Sequence, residues 1–193
     1  MKIIFLLWLA LAPFFILPAA DDPLVLIVYQ SQTGHTRQMA EAVSAGARQV
    51  DSVRVRMIPV EKASEKDIRA ARAIVLGCPV YNGAVPPAMQ GFINSWPFEG
   101  QPLKDKIGAA FVSAGGISAG QESTMLQMLR SMLVFNMIIV GGEEWNSAFG
   151  AAAITGEAPF TGETVAPLFL DKARKLGRRV AALTRRLYGN DKP

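Results

Sequence analysis

The chain has 193 residues, half of them apolar and 19% charged, a length and balance that fit one domain and exclude a disordered tail, a collagen-like repeat and a polytopic membrane protein. One cysteine and one histidine exclude an internal disulfide framework, a cysteine-clustered zinc or iron–sulfur site and a multi-histidine metal centre. The formal net charge of +4 permits an anionic partner without demanding one.

Residues 1–20 stand apart from the rest. Lys2 is their one charge, and an uncharged run follows from Ile3 to Ala20, ending on Ala19-Ala20 before Asp21 and Asp22. A positive start, an apolar stretch and small residues before a polar boundary predict a secretory signal peptide. The run is also just long enough for an N-terminal membrane anchor, although Pro13 and Pro18 weaken a continuous helix. Either reading leaves residues 21–193 as an exported (periplasmic) or membrane-anchored domain. A misassigned start would leave it cytoplasmic. No twin arginine is present, so the segment does not look like a signal for export of a prefolded protein.

From Leu24 to Tyr29 a continuous apolar run predicts a strand buried on both faces. Thr36 to Val50 reads as a helix with Met39, Val43 and Ala47 on one stripe. Val53 to Met57 alternates with period two, as an edge strand would. Ala63 to Arg72 is a short helix with Ser64 as its N-cap and Asp67 three residues on. Ala73 to Leu76 is the third strand, and Pro86 to Trp96 the third helix, with Pro86 near its first turn. Ile107 to Val112 is the fourth strand. Glu122 to Val134 is a helix whose core face is read as Leu126, Leu129 and Leu133. Met137 to Val140 is the fifth strand, and a long loop from Gly141 to about Val165 leads to a closing helix, Leu168 to Leu187. Strands alternating with helices predict a parallel α/β sheet with right-handed crossovers and helices on both faces. The competing architecture is a nucleotide-binding fold with another strand order.

In such a sheet, ligands bind outside the carboxyl ends of the strands. The first segment placed there is Ser31-Gln32-Thr33-Gly34-His35-Thr36. Small hydroxyl residues and a glycine let backbone N–H groups approach a phosphate, and the following helix N-terminus adds partial positive charge. A triphosphate loop would need Gly-Lys-Ser/Thr, and a dinucleotide loop Gly-x-Gly-x-x-Gly. Neither is present. The plainer reading is a turn with Thr33 or Thr36 capping the helix.

Ser31-x-Thr33-Gly34-x-Thr36 after the first strand resembles the FMN-phosphate loop of the flavodoxin superfamily. His35, together with Gly77-Cys78-Pro79-Val80-Tyr81-Asn82-Gly83 and Ala109 to Gly115, is similar to one branch of it, the tryptophan-repressor-binding-protein family of NAD(P)H:quinone oxidoreductases. Gly120 to Thr124, Met137 to Gly141, Phe149-Gly150-Ala151 and Lys175 to Ala181 agree, so the resemblance runs over residues 22–187. It implies a flavodoxin-like, five-stranded parallel sheet in the order 2-1-3-4-5. It also implies FMN as cofactor, NAD(P)H as co-substrate, a quinone-like acceptor, and assembly into dimers or tetramers.

The second and third segments take their implied roles from this resemblance. Pro79, Val80, Tyr81, Asn82 and Gly83 form a tight loop whose backbone can touch the flavin ring, with Tyr81 beside it. Ser113, Ala114, Gly115 and Gly116 open a loop that lays backbone donors against the ring's polar edge. Cys78 reads as a buried packing residue rather than a redox group. Trp96 and Phe98 fall near the position of a flavin-side aromatic in the family, and core packing explains them equally well. Phe135 and Asn136 stand before the fifth strand, where the family commonly has histidines. The basic residues from Lys172 to Arg186 read as the solvated face of the last helix, whose core stripe is read as Leu176, Val180, Leu183 and Leu187; the alternative is that some of them touch an anionic membrane surface.

The expected function is therefore an FMN-binding oxidoreductase carrying out NAD(P)H-dependent two-electron reduction of a quinone-like acceptor. No side-chain acid or base is assigned, no metal is expected, and nucleic-acid binding has no supporting motif. The alternative is a flavodoxin-type electron carrier without its own NAD(P)H activity. Such carriers are usually strongly acidic, and the excess of Lys and Arg argues against that reading.

Overall fold

The structure, a computed structural model, describes residues 22–189; the leader read at residues 1–20 lies outside them. Branched apolar side chains from Leu24 to Val28 make Leu24–Tyr29 (β1) suited to the middle of a sheet, covered on both faces. Arg54–Pro59 (β2) pairs with it in parallel on one side, and Ala73–Pro79 (β3) on the other. Ile107–Ala114 (β4) follows β3. Beyond β4 the edge of the sheet is filled by two short strands, Ile138–Ile139 (β5) opposite Ile107 and Gly108, and Ala151–Ile154 (β6) opposite Phe111 to Ala114. The order 2-1-3-4-5 is as expected. The fifth strand differs, because residues 140–150 leave the sheet and return to it.

Helices His35–Ala47 (α1) and Pro167–Tyr188 (α5) cover one face of the sheet. Met39, Val43, Phe169, Leu176 and Val180 pack there on Val25, Ile27, Val75 and Phe111. Glu65–Ala70 (α2), Pro87–Asn94 (α3) and Gln121–Val134 (α4) cover the other. Ile68, Met89, Phe92, Met125, Met128 and Met132 meet Leu26, Ile74, Leu76 and Val112. Alternate residues of each central strand thus feed opposite cores, each fully buried aliphatic side chain contributing about 1.5–3 kcal/mol. Ser64 and Asp67 form the expected capping box at the start of α2. Burial pushes the Asp67 carboxyl up, but hydrogen bonds from Ser64 and the nearby Arg56 guanidinium outweigh it and hold the group below the usual carboxylate range.

Several sequence readings need correction. Leu129 is buried as read, but Leu126 and Leu133 are exposed, and α4 buries Met125, Met128 and Met132 in their place. Both stripes have helical spacing, so periodicity could not choose between them, and the unbranched methionines fill the space above β4. Leu187, read as core, is exposed, because α5 outruns the sheet it covers. The stretch from Gly141 to Val165 is no simple loop. It holds β6, a 3₁₀ turn at Trp145–Ser147, and a hairpin of Gly156–Glu157 (β7) with Phe160–Thr161 (β8). Ala151-Ala-Ala has almost no strand propensity, and its pairing comes from the free edge of β4. The basic face of α5 is only partly free. Arg178 grips the Glu143 carboxylate with two hydrogen bonds of 3.1 and 2.6 Å. Lys175 reaches Glu144 at 2.8 Å and Arg179 donates to the Gly142 carbonyl, so residues 142–144 are strapped onto the helix.

Candidate functional site

The three loop segments singled out by sequence end up at the same end of the sheet. The chain leaves β1 at Gln30, whose N–H donates to the Gly77 carbonyl at 2.9 Å and whose buried side-chain oxygen accepts the Met89 N–H at 3.2 Å. Ser31 to Gly34 then form the turn into α1. Gly34 is the N-cap with φ +93 and has no side chain of its own to cap the helix. The expected caps are thus absent: Thr33 Oγ1 lies 3.2 Å from His35 Nδ1, and Ser31 Oγ accepts the Arg37 N–H at 3.2 Å. The N–H groups of His35 and Thr36 therefore start the helix with no acceptor in its own ladder. The positive end of the α1 dipole opens at this turn.

Thr36 and Ser113 meet through their hydroxyl oxygens at 2.7 Å, both buried. Ser113 and Ala114 are the last two residues of β4 rather than the start of a loop, so the third segment begins at Gly115. Pro79 likewise closes β3, and the Val80 N–H donates to the Ser113 carbonyl at 2.8 Å. Tyr81 and Ala84 exchange backbone hydrogen bonds around Asn82 and Gly83, both with positive φ. The Tyr81 hydroxyl crosses to the first loop and donates to Gln32 Oε1 at 2.7 Å. The second and third loops touch back to back, since a Cβ on Gly120 would stand 2.8 Å from Gly83 Cα.

The β7–β8 hairpin, which sequence reading missed, closes one side. The Thr155 N–H donates to the Ala114 carbonyl and the Gly156 N–H to the Gly115 carbonyl, each at 2.9 Å. Glu157 accepts the Ile117 N–H at 2.6 Å. His35 Nε2 meets the Gly162 carbonyl at 2.9 Å, and Gln38 is bonded to both Glu163 and Val165. The glycines at 156 and 162 around Ala158-Pro159 were the available turn signal. Past the third loop, away from Ser31–Thr36, a cleft of about 750 Å³ lies beside β6, with Ile117, Gln121, Trp145, Phe149 and Phe169 among its walls.

The model of a family described as NADPH-dependent FMN reductase matches residues 23–152. The chain belongs to that family. A protein of Methylocella silvestris named NAD(P)H dehydrogenase (quinone) is 32% identical over 86% of this chain and 98% of its own length. A flavodoxin of Aquifex aeolicus is 31% identical over 81% of this chain and 84% of its own. The solved structure of a WrbA-like flavodoxin protein from Agrobacterium tumefaciens superposes with a TM-score of 0.68 at 23% identity, covering 85% of this chain and 98% of that one, a likeness of fold.

FMN, the group implied for a member of the FMN reductase family, fits this end of the sheet. Gly34, Gly83 and Gly115 sit one on each of the three loops, and a Cβ added at any of them meets no atom within 4 Å. The loops thus present bare backbone to open space, with the α1 amides at one edge. Two further sequence readings are settled by position. Trp96 is buried in the core, its ring 5.9 Å from that of Phe92 and 5.4 Å from that of Phe135. Phe135 and Asn136 end α4 at the opposite end of the sheet, where the Asn136 carbonyl accepts the Asp105 N–H at 2.9 Å. Residues at these positions cannot reach the three loops within one chain.

Proposed function

We propose that this chain is an FMN-dependent oxidoreductase that uses NAD(P)H to reduce quinone-like acceptors. The observation that carries this reading is the open backbone at Gly34, Gly83 and Gly115, gathered beside the start of α1, whose first two N–H groups have no acceptor in the helix. The chemistry that FMN supplies when bound is two-electron exchange between a nicotinamide and a quinone. The chain's own part is to bind and orient. Residues Ser31 to Thr36 would hold the phosphate by backbone N–H groups, hydroxyls and the helix dipole. Pro79 to Gly83 and Ser113 to Gly116 would hold the ring. The resemblance to relatives named NAD(P)H dehydrogenase (quinone) supports the donor and the acceptor.

The second reading, an electron carrier fed by another protein, draws on the Aquifex aeolicus flavodoxin. One experiment separates them. Residues 21–193 are loaded with FMN and mixed anaerobically with NADPH or NADH while the visible spectrum is followed. Bleaching, followed by recovery on adding benzoquinone, is the expected result. A bound flavin that stays oxidised would leave the carrier, and no bound flavin would overturn the assignment of the loops.

Assembly into a dimer or tetramer belongs to the same reading, and light scattering of the purified protein tests it. Residues 1–20 are read as a route out of the cytoplasm, by cleavage or by anchoring. Cell fractionation with a C-terminal tag, compared with removal of residues 2–20, checks this. Outside the cytoplasm a nicotinamide is hard to supply, so an export result would shift the donor towards a membrane quinol or a redox partner.

A further inference from the structure

The end of the sheet opposite the three loops mixes exposed apolar and basic side chains. Phe98 and Val134 are 63% and 64% exposed, and Leu133, Ile138 and Leu187 are exposed beside them. They are gathered around one loop. The Phe98 ring lies 5.8 Å from that of Phe135, the next residue after Val134. The Ile138 N–H donates to the Lys106 carbonyl at 2.8 Å, and the Tyr188 hydroxyl to the Asp105 carbonyl. At the same end stand the exposed cations Arg48, Arg54, Arg72, Lys104, Arg185 and Arg186. None of the six forms a salt bridge among the described residues. The acids there are Asp22, Asp51, Glu99 and Asp105, whereas the loop end carries Glu122, Glu157 and Glu163.

The chain enters at this same end. Arg54 Nε donates to the Asp22 carbonyl at 3.0 Å, and the Arg54 N–H to the Pro23 carbonyl at 3.0 Å. The uncharged run from Ile3 to Ala20 is therefore joined to the domain beside these cations.

We propose that this end of the domain docks on an anionic lipid bilayer. Arginines and lysines with no carboxylate partner are drawn to anionic headgroups, each worth about 1 kcal/mol near the surface. Exposed Phe, Leu and Val side chains among them can enter the boundary between headgroups and acyl chains, as on amphipathic membrane-surface segments. A scattered exposed leucine needs no explanation, but an apolar cluster rimmed by cations at the point where an uncharged segment joins does. The eight residues of β4, at about 3.3 Å each, then lift the three loops about 25 Å off the surface and turn them away from it. The proposal draws its setting, though not its residues, from the reading of residues 1–20 as a route to the membrane, and its vesicle test leaves that segment out.

Among the described residues, 22–189, both cores are complete in themselves, so residues 21–193 are taken as the folded domain. That domain is floated with phosphatidylcholine vesicles, with and without about one third phosphatidylglycerol. It is expected to bind only the anionic vesicles. Arg185→Gln with Arg186→Gln should lower the partition coefficient about tenfold or more. Phe98→Ser with Val134→Ser should remove the binding that survives about 0.5 M salt. Lys62→Gln with Lys66→Gln, elsewhere on the surface, should change neither. Equal binding to both vesicles, or equal loss in the lysine pair, would overturn the proposal. So would binding that salt abolishes entirely and the Phe98/Val134 pair leaves intact, which is how a docking site for nucleic acid or an acidic protein would behave. In the full chain held in lipid nanodiscs, a fluorophore on Phe98→Cys should be quenched by brominated lipid. One on Gly162→Cys, just past the β7–β8 hairpin, should not.

Discussion

The hydroxyls of Thr36 and Ser113, 77 positions apart, meet at 2.7 Å inside the protein and tie the first turn of α1 to the last residues of β4. Two of the three loops are thereby held at a fixed separation. Each hydroxyl needs the other, because a buried hydroxyl left alone loses its water without recompense. Thr36→Val keeps the shape and leaves Ser113 unpaired, at an expected cost of about 1–3 kcal/mol in denaturant unfolding. FMN affinity should fall by about tenfold as the loops drift apart. Adding Ser113→Ala should cost less than the sum of the two single changes, since the second removes the orphan the first created. Strict additivity would mean that the contact has no energetic part in the loop geometry.

Gly34 and Gly120 both have φ near +94, yet their substitution should read differently. In each case alanine meets left-handed backbone strain of about 1–2 kcal/mol. At Gly34 the new methyl meets no protein atom within 4 Å. Gly34→Ala should therefore leave a folded protein whose FMN affinity falls more steeply than its stability. At Gly120 the methyl would stand 2.8 Å from Gly83 Cα, so the strain is joined by a backbone clash. Gly120→Ala should lower the Tm further than Gly34→Ala does. Thermal unfolding without FMN, set against FMN titration of each variant, separates the two effects.

Where one element's own residues settle its place, the sequence is a good guide. The β1 run has no polar side to offer, so it belongs in the middle of a sheet, and the Ser31–Thr36 turn between it and α1 must open at the carboxyl end. The strand order came from family resemblance, since periodicity alone admits others. What stayed hidden depends on partners far along the chain. Ala151–Ile154 becomes a strand because β4 has an edge to pair with. The choice of Met125, Met128 and Met132 over Leu126 and Leu133 on α4 is made by the space above the sheet. The hairpin at residues 156–161 is placed by hydrogen bonds to Gly115 and Ile117, and by one between Gly162 just after it and His35, none of which its own sequence reveals.

Lys106 is the clearest source of pH-dependent stability. Its side chain is buried, and Nζ donates to the Ile68 and Arg69 carbonyls at 2.7 and 2.8 Å, at the C-terminal end of α2. Burial, with Arg72 and Arg69 nearby, pulls its pKa from the ordinary 10.5 down to about 8. Between those values the unfolded chain holds a proton that the folded protein has released. Stability contributed by this group therefore rises as the pH goes from about 8 towards 10.5, by a total on the order of 3 kcal/mol. Lys106→Met removes the titration. Urea unfolding at pH 7.5 and 9.5 should show the wild type gaining stability relative to the variant across that interval. Parallel curves for the two proteins would refute the linkage.

Cys78 sits in β3 directly before the second loop, a position that invites a redox role, and its surroundings argue against one. The thiol is buried against Met128, 3.9 Å from the thioether sulfur, and burial pushes its pKa up to about 12. A thiol so far from ionising supplies no nucleophile near neutral pH. Native protein should resist iodoacetamide, with labelling only as fast as the chain opens. Cys78→Ala should cost about 1 kcal/mol for the small void and leave NADPH turnover with benzoquinone within about twofold of wild type. Cys78→Ser should be the less stable of the two, because a hydroxyl there is a stronger polar group than the thiol and finds only a sulfur beside it. Turnover lost in Cys78→Ala while FMN still binds would show electrons passing through the thiol, and would make this buried sulfur part of the reaction rather than of the core.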